Sequence, residues 1–209
     1  VFGLSLNLIL TALGAYFLTI KGNKKKTLIT FMIIFTMYFS GGMIPTFLVV
    51  NKLGLYNTRG ILLILGAFST YNCLICKSFF GAMPKDMEEA AEIDGCSPMK
   101  TFIQIILPLS KALLGVMTLY FAVGHWNSYF NALIYIRDDV KQPLQIFLRR
   151  ILILAQQAAT DSEGDLSVVE REMLLRYSSI VVASLPLMIM YPFLQKYFDK
   201  GVMIGAVKG

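Results

Sequence analysis

Four acidic side chains and three small residues lie close together near the middle of the chain. The acids are Glu88, Glu89, Glu92 and Asp94, and the small residues are Ala90, Ala91 and Gly95. Carboxylates can form charge-assisted hydrogen bonds with arginine side chains of another protein, and small residues allow a second surface to approach closely. Taken alone, the pattern fits either a protein contact or a solvated amphipathic connector.

A second group of polar and aromatic residues interrupts a later apolar run. It comprises Tyr120, His125, Trp126, Asn127, Tyr129 and Asn131. Aromatic faces and amide groups can stack on and hydrogen-bond to a sugar, and polar residues within a membrane often mark a transport pathway. Each of them equally suits hydrogen bonding between helices, and they do not all share one helical face.

The residue types give no support for cofactor or catalytic chemistry. His125 is the single histidine, which excludes a multi-histidine metal site. Cys73 and Cys76 form a C-x-x-C inside an apolar run, where two packing residues one helical turn apart are the simpler interpretation. The sequence has no G-x-x-x-x-G-K-[ST] phosphate loop. We therefore expect no catalytic residues, no metal and no cofactor in this chain.

Two short helices are predicted around the acidic residues. These helices would position the acidic side chains. Pro84 suits the first turn of a helix, and the acids after it suit its positive end. Gly95 suits the left-handed position just past a helix end. Ser97 can cap a second helix with Pro98 at its first position, and Pro108 then introduces the next element.

The composition predicts an all-α membrane protein. The chain is 56% hydrophobic and 15% charged, whereas soluble domains carry about 25% charged residues. Its apolar blocks are long enough for transmembrane helices. The five predicted spans are residues 1–20, 28–50, 61–80, 112–136 and 177–197. The second span is expected to break at Gly41, Gly42 and Pro45, and the fifth contains Pro186 and Pro192.

The distribution of basic residues predicts the orientation of these spans. Eleven of the 19 Lys and Arg residues lie on the side that holds the KGNKKK run and the acidic stretch. Six of the remaining eight lie in one long connection, residues 137–176, where charges influence orientation less. The side with more lysine is therefore predicted to be cytoplasmic, and residues 137–176 extracytoplasmic.

The extracytoplasmic segment is predicted to be partly helical. Its LQIFLRRILILAQQ run carries Arg149 and Arg150 at the centre and is too short to cross a core roughly 30 Å thick. It therefore predicts an amphipathic helix on the outer surface. Ser167 to Glu170 have the S-x-x-E form of a capping box, which predicts a helix that starts there and continues into the fifth span.

The spacing of the acidic stretch resembles the EAA signature of bacterial ABC importer permeases, E-A-A-x3-G-x9-I-x-L-P. The fixed positions are matched by Glu89, Ala90, Ala91, Gly95, Ile105, Leu107 and Pro108. By this resemblance, residues 84–110 form the cytoplasmic coupling loop that docks into a cleft of an ATP-hydrolysing subunit.

Two further stretches are similar to the maltose-type carbohydrate permeases. They are VGHWNSYFNALIYI in the fourth span and the C-terminal GVMIGAVKG. The resemblance implies the transmembrane domain of a type I ABC importer over residues 1–209, with a sixth span expected before Val1. It implies that the tail contacts the ATPases through Gly205, Ala206, Val207, Lys208 and Gly209. It also implies that the outer loop, with residues 156–166 as its tip, reaches into the binding protein, and that the partner permease makes most sugar contacts.

The function implied is that of a non-enzymatic permease subunit in the bacterial inner membrane, importing a carbohydrate, with an oligosaccharide expected. The implied partners are a homologous permease, two ATPase copies that bind ATP and Mg²⁺, and an extracytoplasmic solute-binding protein. The lysines flank apolar blocks, so a lipid bilayer rather than nucleic acid is expected to contact the chain. One alternative is an importer of a peptide or amino acid, which the tail disfavours. An ion-coupled secondary transporter is another, but it calls for charged residues within spans. Only Lys77, near a cytoplasmic end, is found there.

Overall fold

The structure, a computed structural model, describes residues 2–20, 25–161 and 166–206, and from residue 194 onward the backbone alone. Every regular element in these ranges is helical, which confirms the predicted all-α class. The α-helices are α1 (Phe2–Phe17), α2 (Lys26–Tyr38), α3 (Met43–Lys52), α4 (Arg59–Leu65), α5 (Thr70–Gly81), α6 (Lys85–Ile93), α7 (Pro98–Thr101), α8 (Leu107–Leu109), α9 (Lys111–Trp126), α10 (Tyr129–Tyr135), α11 (Leu144–Asp161) and α12 (Leu166–Ala206).

The predicted apolar blocks all fold as helices, although most of them are bent. One stretch, Leu166–Phe193 of α12, is by itself long and apolar enough to cross a membrane. Three bent pairs reach that length when each pair counts as one span: α2 with α3, α4 with α5, and α7–α8 with α9. Helix α1 is apolar but shorter. The number of membrane crossings therefore stays a prediction.

One of these bends was predicted from the sequence and another was not. The break between α2 and α3, where the axes differ by 110°, follows the predicted Gly41 and Gly42. The predicted third span, residues 61–80, contains a bend that was not predicted, because α4 and α5 meet at 48°. Ser69 starts the second of these helices by accepting a hydrogen bond from the Asn72 N–H at 3.3 Å.

The predicted fourth span, residues 112–136, is likewise divided between two helices. Helix α9 ends at Trp126 and α10 begins at Tyr129. The Ser128 hydroxyl donates to the backbone oxygen of His125 at 2.7 Å. Short polar side chains that bond to nearby backbone groups compete with helix continuation in this way.

Two clusters of buried side chains hold the helices together. The inner cluster, near the predicted cytoplasmic side, comprises Ala12, Ala15, Tyr16, Leu18, Cys73, Cys76, Phe80, Phe102, Ile106, Leu113, Met117 and Phe121. The outer cluster comprises Val50, Ile61, Ala132, Tyr135, Ile136 and Ile146. Cys73 and Cys76 are thus packing residues, as predicted. The inner cluster joins α1, α5 and α9, and the outer cluster joins the ends of α3, α4, α10 and α11.

A short π-helix, Phe102–Ile106, connects α7 to α8. The Leu107 N–H bonds to the oxygen of Phe102, five residues earlier. Pro108 follows without an N–H to donate, and the chain turns by 83° into α9. Pro108 therefore does precede a new helix, as predicted. Wide turns of this kind often occur at functional sites.

The predicted outer segment is helical in its described parts. Helix α11 covers the predicted amphipathic run, although its position at the membrane surface stays a prediction. Helix α12 continues without interruption into the fifth apolar block and contains Pro186 and Pro192, as predicted. It already includes Leu166, so the prediction that the helix starts at Ser167 is wrong.

Candidate coupling surface and outer cavity

The acidic stretch folds as two helices joined by a left-handed glycine, as the sequence predicts. Helix α6 begins directly after Pro84. Gly95 has φ +73°, its N–H donates to Glu92 O at 3.0 Å, and the Cys96 N–H donates to Ala91 O at 2.9 Å. This bonding pattern is the Schellman ending of a helix, in which the glycine avoids the steric cost that a Cβ would add.

The second helix is capped as predicted. The Ser97 hydroxyl accepts a hydrogen bond from the Lys100 N–H at 3.4 Å, and Pro98 occupies the first turn. The Thr101 hydroxyl donates back to the Ser97 oxygen at 3.2 Å. These bonds fix the angle at which α7 leaves the glycine turn.

Most of the predicted coupling residues are accessible on the surface of this loop. Exposed residues are Glu89, Ala90, Glu92, Asp94, Gly95 and Pro108, and half-buried ones are Glu88, Ile105 and Leu107. The prediction that Ala91 is available to a partner is wrong, because it is only 4% exposed. Ile93, which the sequence did not single out, is 87% exposed. A solvent-exposed isoleucine beside four acids gives the surface an apolar contact point.

Phe102 anchors this loop in the inner cluster. It is 3% exposed, and its ring stacks on Tyr16 at 4.9 Å and meets the edge of Phe80 at 6.4 Å between centroids. Tyr16 lies on α1 and Phe80 on α5. Phe102 therefore connects the loop formed by α6 and α7 directly to two apolar helices.

A cavity of about 240 Å³ separates α6 from the end of α1. Its lining includes the three glutamates Glu88, Glu89 and Glu92 together with Tyr16. Carboxylates gathered on one side of a partly open cavity suit a cationic side chain.

A larger cavity of about 580 Å³ lies near the outer cluster. It is lined by Gly3, Leu4, Arg59, Leu62, Leu63, Ala122, His125, Trp126, Ser128, Lys141, Gln142, Pro143, Pro186, Leu187 and Met190. Two of the six predicted pathway residues, His125 and Trp126, are among these. The other four, which are Tyr120, Asn127, Tyr129 and Asn131, are exposed and do not line it.

Hydrogen bonds fix both predicted residues that reach the cavity. The Nε2 atom of His125 lies 3.4 Å from Asn7 Oδ1, and the amide nitrogen of Asn7 donates to Gly66 O at 2.5 Å. The indole N–H of Trp126 donates to Ala183 O at 2.8 Å, close to Pro186 of α12. Asn7 was missed because it is a lone polar residue in an apolar run.

Polar contacts around Asn57, which has φ +59°, connect two turns at the outer end of the molecule. We call the residues that make them, Asn57, Arg137, Asp138 and Lys141, the latch. The side-chain oxygen of Asn57 accepts the N–H groups of Arg137 at 3.1 Å and Asp138 at 3.0 Å. The Lys141 ammonium donates to the backbone oxygen of Asn57 at 3.2 Å. The latch ties the turn between α3 and α4 to the segment that follows α10.

Ion pairs surround the latch. Lys141 lies 3.3 Å from Asp138, and Arg150 donates to both oxygens of Asp139, at 2.8 and 3.1 Å. The hydrogen bond and charge of Arg150 hold the pKa of Asp139 below its usual value, and the hydrogen bond and charge of Asp139 raise the pKa of Arg150. Most outer acids of the described chain are therefore paired locally.

Two predicted contact regions fall partly outside the described residues. Gly205 and Ala206 form the end of α12, whereas Val207, Lys208 and Gly209 are not described. Within the predicted binding-protein contact, residues 162–165 are likewise outside the described ranges. The roles of both regions stay predictions.

Comparison with known proteins identifies the family. Residues 8–204 match the model of the binding-protein-dependent transport system inner membrane component. The chain is 44% identical to Protein LplC of Bacillus subtilis over the whole chain and 71% of that protein. It is 39% identical to the polygalacturonan/rhamnogalacturonan transport system permease protein YtcP of the same organism, over the whole chain and 73% of that protein.

A solved structure agrees with this assignment. It belongs to a bacterial ABC transporter involved in the import of the acidic polysaccharide alginate. The likeness has a TM-score of 0.80 with 32% identity, and it covers 94% of this chain and 70% of that one. Together, the matched helices, the acidic loop and these relatives lead to one conclusion: the chain belongs to the binding-protein-dependent transport system inner membrane component family.

Proposed function

We propose that this chain is a permease subunit of an ATP-driven importer and forms part of the pathway for a carbohydrate, specifically an oligosaccharide. The observation that carries the proposal is the loop around Gly95, with exposed acids on its surface and Phe102 buried behind them. The descriptions of two similar proteins, which specify polygalacturonan or rhamnogalacturonan and alginate, support a carbohydrate as cargo.

The proposed complex contains a homologous permease, two ATPase subunits and an extracytoplasmic solute-binding protein. ATP and Mg²⁺ would be bound by the ATPases, and this chain would bind neither. The exposed acids of α6 and Ile93 suit a cleft with basic and apolar side chains. Gly205 to Gly209 would add a second contact with the ATPases at the end of α12.

The proposed mechanism is alternating access driven from the coupling loop. When the ATPases close on ATP, they move α6 and α7 together. Phe102 passes this displacement to Tyr16 and Phe80, so α1 and α5 shift as units. Because α1 also carries Asn7, which contacts His125, the same displacement reaches the outer cavity. A physical link of this kind is what coupling between distant sites requires.

The outer segment is proposed to contact the binding protein. Its mixed charges, several of them paired locally, suit recognition by local complementarity more than by one long-range field. Residues 156–166 would form the part that enters the binding protein's cleft. Deleting residues 158–164 should preserve assembly with the ATPases but reduce uptake, and normal uptake by the deletion would reject this role.

The proposal is tested by reconstituting the chain with its partner permease, ATPases and binding protein in proteoliposomes. Oligosaccharides should stimulate ATP hydrolysis and accumulate inside, whereas peptides and amino acids should do neither. The matched control is the same complex with a hydrolysis-deficient ATPase. Accumulation that depends on an ion gradient and persists without ATP would support a secondary transporter instead. Stimulation by peptides or amino acids alone would support an importer of another solute.

A further inference from the structure

The lining of the outer cavity carries an unbalanced positive charge. Two of its residues, Arg59 and Lys141, are cationic, and none of the described residues that line it is Asp or Glu. Lys141 is compensated by Asp138 at 3.3 Å. Arg59 donates one hydrogen bond to the backbone oxygen of Val140, at 2.9 Å, and makes no ion pair within the described ranges. One guanidinium charge therefore remains uncompensated at the cavity.

The remaining donors of Arg59 suit a carboxylate. A guanidinium has five N–H donors in a planar fork, and the bond to Val140 uses only the Nη2 atom. Arg59 is exposed, so further donors are available to a ligand in the cavity. Guanidinium and carboxylate groups form two parallel hydrogen bonds with a fixed geometry.

The rest of the lining suits a sugar ring. Trp126 has its indole held by the bond to Ala183 O, which gives the cavity an aromatic surface of fixed orientation. Leu62, Leu63 and Met190 add apolar surface beside it. A volume of about 580 Å³ falls within the range of about 300–1,000 Å³ that small-molecule sites occupy.

We propose that this cavity is a subsite for a carboxylate-bearing saccharide, in which Arg59 binds the carboxylate of a uronate unit and Trp126 packs against a sugar ring. Lys141 lies at the same rim, with its charge balanced by Asp138. The inference rests on the proposed function, since it names the class of saccharide that crosses at this site. A neutral sugar would leave the guanidinium without an anionic partner in a partly desolvated cavity.

The test uses the reconstituted complex with two probes of equal length, tetragalacturonate and neutral galactotetraose. The key variant is Arg59→Gln, which removes the charge but keeps an amide that can donate to Val140 O. The expected result is a loss of roughly 10-fold to 100-fold in kcat/KM for tetragalacturonate uptake, the size of one charge-assisted contact. Uptake of galactotetraose should change less than about threefold. Arg59→Lys should restore part of the tetragalacturonate uptake.

The control variant is Lys52→Gln. Lys52 is an exposed cation at the end of α3, in the same turn region, and does not line the cavity. It should leave the ratio of the two uptake rates unchanged. Assembly of every variant is checked by size-exclusion chromatography of the purified complex.

The outcomes separate the two proposals. If the wild-type complex imports galactotetraose but not tetragalacturonate, the subsite is wrong and the carbohydrate pathway stands. If Arg59→Gln lowers uptake of both probes equally, the effect of Arg59 does not depend on a carboxylate in the solute, and the subsite is again wrong. If neither probe nor any other saccharide stimulates ATP hydrolysis by the wild-type complex, the proposed function itself fails.

Discussion

The two ends of this molecule are held by different forces. At the inner end, Phe102 is buried between the rings of Tyr16 and Phe80. The acids of α6 lie on the surface of the same loop. At the outer end, the side chain of Asn57 and the ion pairs of Asp138 and Asp139 hold the turns together. The loop at the inner end is fixed by packing, whereas the connections at the outer end add hydrogen bonds and ion pairs to the packing of the outer cluster.

This difference matches what each end is proposed to do. Packed aromatic rings resist deformation and transmit strain, so a loop anchored by Phe102 can act as a lever for an ATPase. Exposed hydrogen bonds and ion pairs exchange readily with water and contribute less each. The outer end can therefore rearrange when a binding protein or a solute offers alternative partners.

The largest effect is expected when the inner anchor is removed. Phe102→Ala deletes a buried ring and should cost about 3–5 kcal/mol, which would lower the thermal stability of the purified complex and abolish uptake. Phe31→Ala is the matched control, since Phe31 is 64% exposed on α2. If both variants unfold at the same temperature as the wild type, Phe102 is not an anchor and the contrast between the ends is lost.

The coupling loop was predictable from sequence because its signals are local. Pro84, Gly95, Ser97 and Pro98 each specify a backbone position through their own chemistry, and the structure places each within one residue of its predicted role. Whether a small residue faces a partner depends on tertiary packing. For this reason the sequence wrongly presented Ala91 as accessible and overlooked Ile93.

The outer cavity was largely unpredictable for the same reason. Hydropathy correctly located the apolar blocks. It carries no information on the local hydrogen bonds by which Ser69 starts a helix and Ser128 follows the end of one inside these blocks. The cavity brings Arg59, the first residue of α4, and Lys141, which lies between α10 and α11, next to Trp126. Such contacts depend on the bends between helices. For this reason only two of the six predicted pathway residues line the cavity.

A second prediction tests whether the inner end acts as a lever. Gly95→Asp should leave the complex assembled but uncouple ATP hydrolysis from uptake. No atom of the described residues, apart from those adjoining Gly95, lies within 4 Å of a Cβ placed there. The free-energy cost within the chain is therefore that of the left-handed backbone, about 1–2 kcal/mol. The larger consequence is expected at the docked surface. Uptake and ATP hydrolysis are measured on the same proteoliposomes.

Gly95→Asn separates the two contributions. Asparagine tolerates the left-handed conformation better than most residues, so the glycine turn should be nearly unstrained while the surface still gains a side chain. If the asparagine variant takes up solute normally and the aspartate variant does not, added negative charge or backbone strain is the cause. Normal uptake by Gly95→Asp itself would reject the coupling role.

A third prediction concerns the outer latch. Asn57→Ala removes the acceptor for two backbone N–H groups and places alanine at φ +59°, so it should cost about 2–3 kcal/mol. Hydrogen exchange should increase locally at Arg137 and Asp138 while the inner cluster stays protected. Asn57→Asp keeps the accepting oxygens and is the control. Increased exchange throughout the chain would show that the two ends are not independent.

The smallest effect is expected at the pair of Arg150 and Asp139. Arg150 holds the pKa of Asp139 below its usual value in the folded state, so the pair stabilises the fold above the unfolded pKa, about 3.9. That stability is lost as the pH falls through the still lower folded pKa. Asp139→Asn should therefore lower the melting temperature slightly at pH 7, and the difference from wild type should disappear under acid conditions.

Salt gives an independent check on this pair, because both side chains are open to solvent and their attraction is screened. The difference in melting temperature between wild type and Asp139→Asn should shrink from low salt to 1 M NaCl. The difference between wild type and Phe102→Ala should persist, since packing is not screened. If the Asp139 effect is as large as that of Phe102 and insensitive to salt, the outer end is held as rigidly as the inner one, and the proposed division between lever and latch is wrong.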